Sequence, residues 1–287
     1  MTLRPSLVVA VMETVNRPFG RPTRFTRAVI RERLTVLTRL PFTITTARTN
    51  VMPRSRRIRM LNLRRLTQAF VEGSLNAVAA EIRSAGGVAE TAQVDALDEH
   101  AVDEHADAVA AEAGGIDISF NLITHPHTHG TPLAEMAVAD FMAPVETAAR
   151  TTFLTTRAAA RHMIPRRSGV ILAFGGPGDR SGPMRDYYLG GTQVAFDAIE
   201  TMRRQLSAEL GPHGIRVVTL SSGGVPESLP EGFEGRQAIV EMIEGQTLLG
   251  RAATLEDVGN AAVFAASDWA RSVTASIINV SCGALVD

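Results

Sequence analysis

In Ala208-Glu-Leu-Gly-Pro-His-Gly-Ile-Arg-Val-Val218 a helix gives way to a strand within eleven residues. Upstream, Phe196, Ile199, Met202, Leu206 and Leu210 recur at helical spacing. Thr192 to Leu210 is therefore predicted as a strongly amphipathic helix. Downstream, Ile215 to Leu220 is a short apolar run, the pattern of a strand buried on both faces.

The same alternation extends in both directions. Ser74 to Ala85 predicts a helix with Leu75, Val78, Ala79 and Ile82 on one face, stopped at Gly86-Gly87. Val88 to Val94 predicts a strand. A helix follows from Asp98, with Val102, Ala106 and Val109 inside, and ends at Gly114-Gly115. Ile116 to Ile123 is an almost continuous apolar run, so it too reads as a buried strand. Asp140 to Ile164 predicts one long helix containing Pro144. Gly169 to Phe174 predicts a strand, Leu255 to Ala266 a helix and Ser276 to Val280 a last strand. Strands and helices alternating at this length imply βαβ units and an α/β fold, a Rossmann-like doubly wound parallel sheet in one domain over residues 1–287.

Residues 1–73 form an atypical, arginine-rich first region. Leu7 to Met12 reads as an opening strand, Phe25 to Leu40 as a helix and Phe42 to Thr46 as a second strand. Val51 to Thr67 shows no clean periodicity and reads as an insertion or loop. The chain has 29 basic residues, all arginine, and no lysine. Its net charge of −1 hides an asymmetry. Residues 1–75 hold 15 arginines against three acids, and residues 76–287 hold 14 arginines against 27 acids. Three readings stay open: mutual neutralisation within one fold, a first segment altered relative to its relatives, or a basic arm for a polyanion.

Other classes are easier to exclude. With 45% hydrophobic and 21% charged residues, the composition is that of a globular protein. One cysteine, Cys282, allows neither an internal disulfide framework nor a cysteine-built metal site. No apolar run approaches the ~20 residues of a membrane span, and no segment reads as a secretory signal. A cytoplasmic location is expected, with no membrane association.

From residue 74 onward the chain resembles the short-chain dehydrogenase/reductase superfamily. Three segments carry the resemblance: Ala208 to Val218, Leu249-Gly-Arg-Ala-Ala-Thr-Leu-Glu-Asp-Val258, and Val273-Thr-Ala-Ser-Ile-Ile-Asn-Val280. It implies an oxidoreductase using NADP or NAD, a small-molecule substrate, and assembly as a homodimer or homotetramer. That assembly would use the helices Asp140 to Ile164 and Thr192 to Leu210, with Ala148, Ala149, Ala158 and Ala159 allowing close approach. Nucleic acid is not an expected partner.

The resemblance also assigns site residues. Asp95 matches the family aspartate near the adenine. Asn121 matches the first asparagine of the family's Asn-Asn-Ala-Gly segment. Arg48 stands where NADP-preferring members hold an arginine for the 2′-phosphate, a group that a guanidinium fork suits. The glycine-rich turn that brings pyrophosphate onto backbone N–H groups is replaced by Glu13-Thr-Val-Asn-Arg-Pro-Phe-Gly20. Weak nucleotide binding is expected.

Family members use an Asn-Ser-Tyr-Lys set, in which lysine lowers the tyrosine pKa. Here Ala148 stands at the asparagine position and Gly176 at the serine position. Counting from Glu209 puts Thr192 at the tyrosine position and Phe196 at the lysine position. Counting from the preceding strand puts Tyr188 near the tyrosine position and Thr192 at the lysine position. Tyr188 is the catalytic candidate. Weak or absent hydride transfer is expected, and a catalytically silent member that binds a small molecule or a partner subunit is the alternative. His125-Pro-His-Thr-His129 follows the Asn121 strand. It reads as a polar loop, a substrate or acid–base contact, or a metal ligand set; no metal is assigned. Pro226 to Gly245 corresponds to the variable loop-helix that covers substrate in the family.

Overall fold

The computed structural model describes residues 6–11, 43–48, 75–84, 87–123, 125–126, 130–176, 188–229, 232 and 236–286. The predicted helix Phe25 to Leu40 and the arginine-rich stretch Val51 to Thr67 lie outside them. Among the described residues, thirteen α-helices and strands follow in chain order. They are β1 (Ser6–Val11), β2 (Thr43–Arg48), α1 (Leu75–Ser84), β3 (Val88–Ala92), α2 (Glu99–Ala113), β4 (Ile118–Asn121) and α3 (Val138–Met163). Then come β5 (Gly169–Gly175), α4 (Thr192–Leu210), β6 (Ile215–Ser221), α5 (Arg236–Glu244), α6 (Leu255–Ala266) and β7 (Ser276–Asn279). No helix among the described residues is long and apolar enough to cross a membrane.

The strands form one seven-stranded sheet in the order β3-β2-β1-β4-β5-β6-β7. The β1·β4, β4·β5, β5·β6 and β6·β7 pairs are parallel, as the alternation of elements predicts. β2 runs antiparallel to both β1 and β3. The order reverses between β1 and β4, and in doubly wound sheets the ligand crevice opens at such a reversal, beyond the carboxyl ends of the strands.

Why these segments fold this way is visible in their faces. Along β5, Val170 and Leu172 point into one apolar layer with Val78, Ala79 and Ile82 of α1 and Val258, Ala262 and Val263 of α6. Ile171 points into the other, with Val102, Ala106 and Val109 of α2 and Leu154, Ala158 and Met163 of α3. A strand buried on both faces reads as a continuous apolar run for this reason. Helix ends follow local chemistry. Asp98 caps α2 by accepting hydrogen bonds from the His100 and Ala101 N–H groups at 2.9 and 3.0 Å. Gly114 ends α2 in the left-handed region at φ 78°. Thr254 and Asp257 make a reciprocal capping box on α6.

The acids of α2 meet the cations of α3. Arg157 binds Glu99 at 2.7 Å and Asp103 at 2.9 Å. Arg161 binds Asp103 at 2.7 Å, and His162 lies 2.8 Å from Asp107. The i, i+4 spacing of Glu99, Asp103 and Asp107 puts them on one helical face, matched by Arg157 and Arg161.

Ala148, Ala158 and Ala159 do not face outward: all three are buried within the chain. The large exposed apolar residues of α3 and α4 are Val138, Met142, Phe153 and Val194. Short side chains here serve the packing of α3 on the sheet and on α4.

Candidate active site

Strand pairing defines the edge at which the site residues gather. Ala92 of β3, Ile44 of β2, Ala10 of β1, Asn121 of β4 and Ala173 of β5 form one row across the sheet. Asn121 ends β4 and Asp95 follows β3, so both lie at the carboxyl edge. Arg48 pairs with Ser6 and Val88 at the amino edge. Four residues of strand separate its row from that of Ile44, roughly 13 Å. The structure brings Asp95 and Asn121 to the same edge and does not bring Arg48 there. The cause is the reversed direction of β2.

Asn121 is buried and braced. Its Nδ2 donates to Thr155 Oγ1 of α3 at 3.0 Å, and its Oδ1 accepts from the Ile123 N–H at 2.9 Å. The side chain ties the end of β4 to α3 and turns the chain out of the sheet. Thr155 is part of this device and has no local signal in the sequence, because its partner lies 34 residues away.

Asp95 is exposed. Its Oδ1 accepts from the Leu97 N–H at 2.9 Å, closing the turn into α2. With Leu97, Asp98, Glu99, His100, Asp103 and Arg150 it lines an open cavity of about 660 Å³. Arg150 reaches this rim from α3 and donates through Nε to the Leu97 carbonyl at 2.9 Å. A rim this rich in carboxylates suits amine and hydroxyl donors better than phosphate.

The catalytic corner lies between the ends of β4 and β5 and the start of α4. Gly176 follows β5, and its carbonyl accepts a hydrogen bond from Ser221 Oγ at the end of β6, at 2.9 Å. The Phe196 ring lies in the space that a Cβ at Gly176 would occupy. The ring also meets His125 edge-on, with centroids 5.2 Å apart and an interplanar angle of 67°. His125 is buried, with 6% of its surface exposed. Beside this stack, Ala148, Ala173, Ala195 and Ile199 form a small apolar cluster. Ala148, Gly176 and Phe196 are thus packed as hydrocarbon and backbone.

Thr192 is buried at 2% exposure in the first turn of α4. Just ahead of it, Gly191 packs so closely on α3 that a Cβ there would collide with the Phe141 carbonyl. Tyr188 is 42% exposed. It adopts φ 43°, the left-handed region that side chains other than glycine rarely enter. Its carbonyl accepts from the Gly130 N–H at 3.3 Å, tying the loop before α4 to the loop after β4. His127 and His129 lie outside the described residues. Among the described residues no three His, Cys, Asp or Glu side chains are grouped to hold a metal ion.

Comparison with known proteins decides the family. The family model described as enoyl-(acyl carrier protein) reductase matches residues 65–284. The chain belongs to the short-chain dehydrogenase/reductase superfamily. Among its superfamily relatives, secoisolariciresinol dehydrogenase of Forsythia intermedia is 31% identical over 188 residues, 63% of this chain and 65% of that protein. Enoyl-acyl-carrier-protein reductase (NADH) FabI of Haemophilus influenzae is 35% identical over 90 residues, 31% of this chain and 34% of that protein. The matches therefore span between about one third and two thirds of these relatives. A solved dehydrogenase/reductase from Sinorhizobium meliloti 1021 superimposes with a TM-score of 0.61 at 25% identity, over 73% of this chain and 79% of that one. A short-chain dehydrogenase from Burkholderia cenocepacia J2315 in complex with NADP gives a TM-score of 0.62 at 24% identity, over 73% and 82%, a likeness of fold.

Superfamily membership implies a nicotinamide nucleotide, and the two ends of the crevice differ in how they suit one. At the Asp95 end an exposed carboxylate and an open cavity offer acceptors to a base amine or a ribose hydroxyl. At the Phe196 end the chain offers an aromatic ring packed on Gly176 and His125. The residues present fit the adenosine part and give the other ribose no cation from the lysine position.

Proposed function

We propose that the chain is a divergent NAD(P)-dependent oxidoreductase of the short-chain type, acting on a small-molecule substrate. One observation carries the reading: the superfamily match over residues 65–284 includes the carboxyl edge of the sheet, where Asp95 lines an open cavity and Asn121 ends β4. Asp95 would hold the adenosine end, and Asn121 would brace the crevice floor through Thr155. The bound nucleotide supplies hydride chemistry. Tyr188, at the mouth, would contact substrate. The exposed apolar faces of α3 and α4 favour a homodimer or homotetramer.

A second reading is favoured by the packing of Phe196 on Gly176 and by the Ala148, Ala195 and Ile199 cluster. These support a catalytically silent protein that binds a small molecule or a partner subunit. Calorimetric titration with NADP and NAD, followed by NADPH and NADH oxidation with benzaldehyde and cyclohexanone, separates the two. Nucleotide binding with turnover supports the first reading. Binding without turnover selects the second, and no binding at millimolar nucleotide overturns the first.

A further inference from the structure

We propose that Glu227 is the positioning residue of the segment between β6 and α6, holding α5 beside the carboxyl edge of the sheet. It rests on the oxidoreductase reading above, which makes that edge the crevice, and deepens it.

The segment leaves β6 after Ser221 and reaches α6 at Leu255. Between them, α5 has no buried residue. Its Ile243 lies in the space that a Cβ at Gly224 would occupy, so α5 stands next to the carboxyl end of β6. A helix that buries none of its residues gains little from packing, and such segments open at low cost.

Its two ends carry hydrogen bonds to the body of the fold. At the far end the Leu249 N–H donates to the Cys282 carbonyl at 3.1 Å. At the near end Glu227 Oε2 accepts from the Leu255 N–H at 2.8 Å, joining two points 28 residues apart. A tight turn, Pro226–Ser228, presents this carboxylate. In it the Ser228 N–H and Oγ both donate to the Val225 carbonyl, at 2.9 and 2.7 Å. Gly224, at φ 124°, precedes the turn, and Gly250, at φ 66°, follows α5. Each end therefore has a glycine in a backbone state that few other residues adopt, where a segment can pivot.

Capping of α6 does not account for Glu227. That helix has its own reciprocal cap in Thr254 and Asp257, and Arg251 binds Asp257 at 2.7 Å. Glu256 and Asp257 already place two acids in its first turn. A third carboxylate is redundant for α6. What it adds is a link from the start of the α5 segment to a fixed helix end. The positive end of the α6 dipole and the charge on the acceptor strengthen that link. A neutral acceptor of the same length keeps part of it, and a methyl group keeps none.

The test uses the full chain and the variants Glu227→Gln and Glu227→Ala, with hydrogen–deuterium exchange read by mass spectrometry without nucleotide. In Glu227→Ala, exchange over residues 236–249 is expected to rise about fivefold or more, the equivalent of one lost cap. Glu227→Gln is expected to fall between that variant and the parent, and residues 255–266 are expected to exchange as before. Unchanged exchange over 236–249 in Glu227→Ala overturns the proposal. So does loosening confined to 255–266, which is the signature of a helix cap. In NADPH oxidation with benzaldehyde, Glu227→Ala is expected to raise KM about fivefold and leave kcat unchanged. A fall in kcat alone also overturns the positioning role. Exchange needs no turnover. A parent chain without turnover therefore overturns the oxidoreductase reading, and the exchange result still decides the role of Glu227.

Discussion

The Phe196 ring occupies the volume that a side chain at Gly176 would need. The two positions are therefore coupled. Gly176→Ser in the parent chain is expected to cost about 1–3 kcal/mol by overpacking. Combined with Phe196→Ala, the same serine should cost at least about 1 kcal/mol less, a coupling within the range of contacting residues. Urea denaturation of the four chains measures this. Additive costs would show that the ring moves aside freely.

Activity follows from the same corner. The parent chain is expected to turn over simple carbonyl substrates below the ordinary enzyme range of order 1–1,000 per second. Gly176→Ser, Thr192→Tyr and Phe196→Lys made together are expected to raise that rate. Because Thr192 is buried, the triple variant needs a melt alongside its kinetics. Ordinary turnover by the unmodified chain would contradict this expectation.

Nucleotide selectivity separates the two edges of the sheet. Asp95→Ala is expected to weaken NAD and NADP binding alike, by about tenfold, the worth of one hydrogen bond to a charged group. Arg48→Ala is expected to leave the ratio of the two affinities unchanged, because Arg48 sits at the amino edge. Calorimetry with both nucleotides checks each variant. A selective loss of NADP affinity in Arg48→Ala would place that guanidinium near the 2′-phosphate.

Acid stability has two components with separate windows. Burial pushes His105 down from 6.5 to about 4. Its Nε2 is buried without a hydrogen-bond partner among the described residues. As pH falls below 6.5 the unfolded chain takes up this proton first, so stability is lost between about pH 6.5 and 4 and no further below. The loss is at most about 3 kcal/mol. Burial raises Asp103, but the Arg161 and Arg157 hydrogen bonds outweigh it and hold the carboxyl below its ordinary 3.8. That contribution is present above pH 3.8 and is lost only as pH falls through the lowered value. His105→Leu should flatten the melting temperature between pH 6.5 and 4 and leave the steeper fall below unchanged. An unchanged slope would remove His105 from this role.

Assembly is expected through α3 and α4, with Phe153 and Val194 in the contact. Sedimentation at micromolar concentration should show a dimer or tetramer, and Phe153→Glu should shift it towards monomer. A monomeric parent chain would contradict this.

Much of the fold was legible because the apolar periods are long and consistent. Thr192–Leu210 and Leu255–Ala266 have the predicted bounds. Val102, Ala106 and Val109 are the buried residues of α2. Spacing carries such information because it is local. The direction of β2 was not legible, because six residues of strand pair equally well either way and only the path of the chain decides. The site was legible in part. Asn121 and Asp95 stand at the expected edge, but Thr155 bonds Asn121 across 34 residues and Arg150 bonds the Leu97 carbonyl beside Asp95 across 53. Ala148, Ala158 and Ala159 of α3 are buried, because small side chains serve close packing inside a chain as well as between chains.

The α2–α3 seam has a consequence in reagent chemistry. Its cations are arginines and one histidine, and the chain has no lysine to substitute for them. Guanidinium groups keep their charge well beyond pH 12. Strong alkali therefore leaves the arginine pairs charged on both sides, whereas strong acid discharges the carboxylates. Acylating and reductive-methylating reagents, which attack ε-amines, also have no target there. The seam yields to protons or to salt, and amine-directed labelling passes it by.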